Sequence, residues 1–251
     1  MKRLIVNADD YGYTPGVSEG IRRAHRHGIV TSTTVMMTMP HAAAELEKLA
    51  TEAPTLGVGV HLTVTDGVPF RLDHIFSRQQ VRDELAALDA AELRAEWAAQ
   101  IETFLTTGLT LTHLDSHHHA TYWHERPLTV LFDLARSYGV PIRCPYPFGD
   151  PNVDPLAESI ANSGVNHPRT FVDVFDKQRD AGTLIHALES LPDGVTEFMV
   201  HPGVVDDELR RFRPTLAHIR AEEMEALIDP RAQTAVQKLG IELVSFAALA
   251  A

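Results

Sequence analysis

The feature that most limits how this chain can fold is its repeated switch between short β-branched runs and longer helical patterns. The β-branched runs are RLIVNA from Arg3, VTSTTVMMTM from Val30, LGVGVHLTV from Leu56 and LTLTHLDSHHH from Leu109. They continue with VPIRCP from Val140, RTFVDVF from Arg169, VTEFMVHPG from Val195 and IELVSF from Ile241. Between them lie stretches with helix propensity and helix stop signals. The first has Thr14 as a candidate cap, Pro15 in the first turn and Gly28 at its end. The spacing predicts one long helix from about Arg82 to Thr106, and later helices near Ala221 to Asp229 and Pro230 to Leu239. The segment from Tyr146 to Pro168 reads as a long irregular loop that holds a short helix around Leu156 to Asn162. Alternation of this kind means α/β architecture: parallel strands joined by crossover helices, as a (β/α) barrel or an open doubly wound sheet. Barrels of about this length commonly stay undivided, so residues 1–251 are expected to form a single domain.

The polar residues inside the apolar runs cluster at one end of them. Asp9 and Asp10 end the first run, and His61 lies near the end of the third. His113, Asp115, His117, His118 and His119 end the fourth, Arg143 the fifth and His201 the seventh. In parallel α/β folds the carboxyl ends of the strands form the active-site face, so these side chains converge on one mouth. Adjacent strand residues face opposite ways, but at a strand end the chain bends and both aspartates can reach one site. One carboxylate and two imidazoles make a facial ligand set for a divalent cation, with positions left for water and substrate. A second carboxylate beside that site can serve as a general base, and the cation offsets the repulsion between the two.

Composition removes several classes of function. A formal charge of -12 argues against nucleic acid and against an anionic membrane surface as partners. The single Cys144 permits neither an intramolecular disulfide nor a cysteine-rich metal site, in keeping with a cytoplasmic location. The three apolar residues before Asn7 are too few for the core of a signal peptide, and no window reaches the roughly 18 apolar residues of a membrane span. No glycine-rich phosphate fingerprint follows a strand. The 14 histidines are what remains to be explained, and HLDSHHH is the run hardest to read as a solvated loop.

The segments NADDYG, GIVTSTTVM, GVHLT, THLDSHHH and VHPG occur in the order and at about the spacing seen in the YdjC-like carbohydrate deacetylases. The resemblance runs from Leu4 to the terminal LVSF. It implies a deformed (β/α) barrel related to polysaccharide deacetylases, with the active site at the C-terminal strand ends. It implies one divalent cation, magnesium or zinc, held by Asp10, His61 and His117. It also implies Asp9 as general base, His201 as general acid, and Arg143 as the partner that keeps the base charged. The reaction would be hydrolysis of the N-acetyl group of an acetylated amino sugar or oligosaccharide, with release of acetate. Relatives of this kind make a homodimer plausible. Tyr11, His119, Tyr146 and Phe148 are expected substrate contacts, the last two by stacking on a sugar ring. In the family the histidine run often continues to a further histidine, where this chain has Thr121. A metal-dependent isomerase or phosphoesterase, and a non-catalytic sugar-binding protein, are the competing readings of the same scaffold.

Overall fold

The computed structural model describes residues 1–77, 81–145 and 155–250. Its elements in chain order begin with β1 (Lys2–Tyr11), α1 (Pro15–His27), β2 (Ser32–Val35), α2 (Ala42–Glu52) and β3 (Gly57–Leu62). Then come α3 (Val81–Ala87), α4 (Ala90–Leu105), β4 (Leu111–Ser116), a tight helical segment over His117–Tyr122, and α5 (Glu125–Tyr138). The chain continues through α6 (Pro155–Asn162), β5 (Thr170–Asp173), α7 (Ala181–Glu189) and β6 (Gly194–Val200). It ends with α8 (Asp207–Phe212), α9 (Pro214–Ile228), α10 (Pro230–Lys238) and β7 (Glu242–Leu243). Among the described residues no helix is long and apolar enough to cross a membrane.

Every strand pair is parallel, in the order β4-β3-β2-β1-β6-β5, with β7 also on β1. β1 is central, and its Leu4, Ile5, Val6 and Ala8 are wholly buried. An unbroken apolar run is what a strand covered on both faces requires. The sheet curls towards closure through the segment expected as a fifth strand. That segment is reduced to a single bridge between Leu114 and Ile142. Arg143 N–H donates to the Leu114 carbonyl (3.1 Å), and Ile142 N–H donates to the Asn166 carbonyl just before β5 (2.9 Å). Pro141 lacks an N–H, which limits this stretch to partial pairing. The result is a deformed barrel, as the family resemblance implied.

Other boundaries moved for identifiable reasons. The helix expected from Arg82 to Thr106 is two helices, because Asp89 caps α4 by accepting from the N–H groups of Ala91 and Glu92. The sequence D-x-x-E at Asp89 to Glu92 carries that signal. α9 starts at Pro214 rather than Ala221, and α8 before it is capped by Asp206. Thr14 does cap α1, and the short helix near Leu156 is α6.

α1 packs tightly on the segment after β6. A Cβ on Gly20 would lie 2.4 Å from Gly203 Cα, so the two backbones are in contact. Gly20→Ala is expected to destabilise the fold by about 1–3 kcal/mol through overpacking. A lower urea midpoint with an unchanged slope would register this. The glycine of VHPG is thereby tied to α1 and, through the Gly203 N–H to the Arg220 carbonyl (3.0 Å), to α9.

Candidate metal centre and active site

The site begins with an irregularity at the end of β1. Its register against β2 shifts between Ala8 and Tyr11, and Asp10 has φ of 71°. A non-glycine residue in the left-handed region carries a strain of about 1–3 kcal/mol, and such strain gathers at functional sites. The distortion turns two neighbouring carboxylates, each only 2% exposed, towards the same cavity.

Asp10 meets two imidazoles there. Its Oδ1 lies 3.4 Å from His61 Nε2 and 3.1 Å from His117 Nδ1, and those two ring nitrogens are 3.2 Å apart. Its Oδ2 accepts a short hydrogen bond from Arg220 Nη2. Oδ1 is buried and accepts no well-formed hydrogen bond among the described residues. Buried carboxylate oxygens are seldom left this way, because the lost hydration is costly. One oxygen and two imidazole nitrogens, converging around an unsatisfied anionic atom, fit a divalent cation such as zinc, iron or manganese. Burial opposes the charge on Asp10, but Arg220 and His117 hold its carboxyl well below the usual range. Burial also opposes the charged form of His117. Asp10 and Asp66 outweigh it and push that imidazole up to about 9.

His61 is oriented by register. It pairs with Asp115 across β3 and β4, and its Nδ1 lies 2.6 Å from Asp115 Oδ1. That contact leaves Nε2 facing Asp10. A carboxylate behind a histidine fixes its tautomer and raises its basicity towards a cation.

Asp9 has different neighbours. Arg143 Nη1 and Nη2 each donate to one of its oxygens at 2.6 Å, and Asn7 Nδ2 donates at 2.8 Å. Arg143 is wholly buried and also meets Asp115 Oδ2 (2.8 Å) and Glu197 Oε1 (2.8 Å). Burial works against the charge on Asp9, but the Arg143 guanidinium holds its carboxyl well below the usual range. Glu197 responds in the other direction, since burial pushes it up to about 7. His201 follows β6, with Nε2 3.9 Å from Asp9 Oδ2. Its backbone N–H donates to Glu223 Oε2 on α9 (2.5 Å).

Asp9, Asp10, His61, His117 and His201 line a cavity of about 920 Å³ together with Tyr13, Trp123, Phe175, Arg179 and Arg213. His119 lines it too, with a left-handed φ of 54° and an imidazole lowered to about 3 by burial and Arg143. Tyr11, expected as a substrate contact, does not line this cavity. It is fully buried, donates to the Glu45 carbonyl (2.7 Å) and accepts from Arg22 (2.7 Å), on the side facing α1 and α2. Thr121, where the family often has a further histidine, belongs to the turn after β4. Its N–H donates to Ser116 Oγ (3.1 Å), and the two hydroxyls are 2.7 Å apart. Tyr146 and Phe148 lie outside the described residues.

Sequence reading missed Asp66, Arg220, Asn7 and Glu197, and left Asp115 without a role. Asp115 carried a signal, as a carboxylate two residues from His117 in a strand. Arg220 carried none, because it reaches Asp10 from a helix 210 residues away.

The YdjC-like protein family model matches residues 3–238. A carbohydrate deacetylase from Brevibacillus brevis is 35% identical, covering 98% of this chain and 99% of its own. One from Enterococcus faecalis is 32% identical, covering 99% and 98%. Among solved structures, a candidate cellobiose-phosphate cleavage protein from Enterococcus faecalis superposes with a TM-score of 0.88 at 30% identity, over 100% of this chain and 99% of that one. A family 4 carbohydrate esterase from Streptomyces lividans shares the fold alone, with a TM-score of 0.55 at 12% identity over 97% and 91%. That likeness is one of architecture, a curled sheet of parallel strands joined by helices. With a family match over most of its length and whole-length relatives above 30% identity, this chain belongs to the YdjC-like protein family.

Proposed function

We propose that this chain is a cation-dependent carbohydrate deacetylase that hydrolyses the N-acetyl group of an acetylated amino sugar or chito-oligosaccharide. The observation that carries this reading is the division of labour within one dipeptide. Asp10 turns an unsatisfied oxygen towards His61 and His117, while Asp9 beside it is tied to Arg143. Two whole-length relatives are named carbohydrate deacetylases, which supports the coarser part of this reading, removal of an acetyl group from a carbohydrate.

Asp10, His61 and His117 would hold the cation, which supplies Lewis-acid activation of water and of the amide carbonyl. Asp9 takes the proton from the attacking water. Arg143 keeps that carboxylate ionised and fixes its plane, so no conformational change precedes proton transfer. The C–O bond forms first; the C–N bond breaks when the tetrahedral adduct collapses, and the leaving nitrogen must gain a proton as it departs. His201 stands on the Asp9 side of the cavity and delivers it. The products are acetate and a free amino sugar.

Acetate release from N-acetylated chito-oligosaccharides, measured with and without a chelator, tests the reading. Chelation is expected to lower the rate by about a hundredfold or more, since Lewis-acid activation supplies several kcal/mol. Restoring zinc or magnesium should recover it. Hydrolysis that persists after complete cation removal would refute the reading.

A further inference from the structure

Each imidazole assigned to the cation has one nitrogen turned to Asp10 and the other turned to a carboxylate. For His61 that carboxylate is its strand neighbour Asp115. For His117 it is Asp66, whose Oδ2 lies 3.3 Å from Nε2. Asp66 comes from the loop between β3 and α3, far from His117 in sequence.

We propose that Asp66 is the positioning residue of His117: it accepts the Nε2 proton and so leaves Nδ1 as the atom that faces the cation. This rests on the ligand set proposed above.

The loop is built to deliver that carboxylate. Gly67 has φ of 83°, and a Cβ there would lie 2.3 Å from the Thr38 carbonyl oxygen, so the loop presses against the segment after β2. Thr38 Oγ1 donates to the Asp66 carbonyl (2.8 Å), and Val68 N–H donates to the Thr38 carbonyl (2.9 Å). Further along, the wholly buried Glu96 on α4 accepts three consecutive backbone N–H groups at one oxygen. They come from Phe70, Arg71 and Leu72, at 2.9, 2.5 and 3.1 Å. Gln100, one turn on, donates to Glu96 (2.8 Å) and to the Thr63 carbonyl (2.7 Å), and accepts from Thr63 N–H (3.1 Å). The Glu96 carboxylate does not line the cavity, and its effect is to fix the path of residues 63–72. Asp66 is thus held from both flanks. Its other oxygen accepts from Arg213 Nη2 (3.0 Å), which keeps its charge compensated without removing Oδ2 from His117.

The alternative role for Asp66 is as a ligand. Asp66, His117 and His118 also lie close enough to share an ion. Zinc titration separates the two roles. Wild type, Asp66→Asn, Asp115→Asn and His117→Ala would be titrated as full-length proteins against a competing chelator, with urea midpoints measured in parallel. Wild type is expected to bind one zinc ion, and His117→Ala to lose it. Asp66→Asn is expected to bind one ion about 10–100-fold more weakly, as Asp115→Asn should, because loss of such a partner weakens ligation by that factor. Nitrogen-15 NMR of the zinc-loaded wild type is expected to show His117 protonated at Nε2. Wild-type affinity in Asp66→Asn, zinc on Nε2, or a second ion lost in that variant would each overturn the inference while leaving the ligand set standing. A folded wild type that binds no zinc or other divalent cation would refute the ligand set itself, and this inference with it.

Discussion

Asp9→Asn is expected to lower kcat for acetate release by about 10²- to 10⁴-fold, the usual contribution of a general base. Zinc affinity is expected to stay near the wild-type value, because the ligand set proposed above is Asp10, His61 and His117. Asparagine cannot accept the water proton, and its amide offers one acceptor where Arg143 donates to two oxygens. One guanidinium N–H then faces an NH₂ group, so a modest stability loss of about 1–3 kcal/mol should accompany the loss of turnover. The two effects are separable, since a structural defect alone would not spare cation binding. An Asp9→Asn protein with wild-type kcat would remove Asp9 from the mechanism. An inactive variant that also fails to bind zinc would assign Asp9 to the ligand set instead.

The largest stability effect should come from Arg143. Arg143→Met keeps most of the side-chain length and removes the charge shared by Asp9, Asp115 and Glu197. Breaking a buried ion pair from one side typically costs about 3–5 kcal/mol, and here three buried carboxylates lose their common partner. The cost should depend on pH in a defined sense. The folded-state pKa of Asp9 is depressed, so its pairing with Arg143 stabilises the fold above the unfolded value of about 3.9 and is lost as pH falls through the folded value. The gap in unfolding free energy between wild type and Arg143→Met should therefore be wide at pH 7 and should narrow below about pH 4. Urea titrations at both pH values measure it. Arg143→Lys should fall between the two, because it keeps the charge but not the fork that grips both Asp9 oxygens. A difference that is small at pH 7, or that widens in acid, would contradict this account of the buried cluster.

How far the sequence could be read follows from the range over which each signal acts. Strand and helix runs are local patterns of 4 to 15 or so residues, and the apolar core enforces them. That is why the parallel architecture and the strand ends bearing Asp9, Asp10, His61, His117 and His201 were legible. Where a local signal was weak, the reading failed. VPIRCP looked like a strand, but proline limits it to a bridge. The cap at Asp89 divided a run whose propensity was continuous. Tyr11 illustrates a different failure. It is expected as a substrate contact, yet the distorted turn at Asp10 sends it to the opposite side of the sheet, against Glu45 and Arg22.

The sequence by itself therefore determined which residue types stand at the carboxyl ends of the strands, and with them the chemistry available at the mouth of the barrel. Tertiary structure alone decided which atoms of those residues face one another. Asp66, Glu197 and Arg220 reach the site from a loop, a neighbouring strand and a distant helix, and no periodicity within any of those segments encodes the partner. The physical reason is that hydrophobic patterning specifies a face, whereas the orientation of a buried charge is set by the opposite charges that packing brings within hydrogen-bond reach.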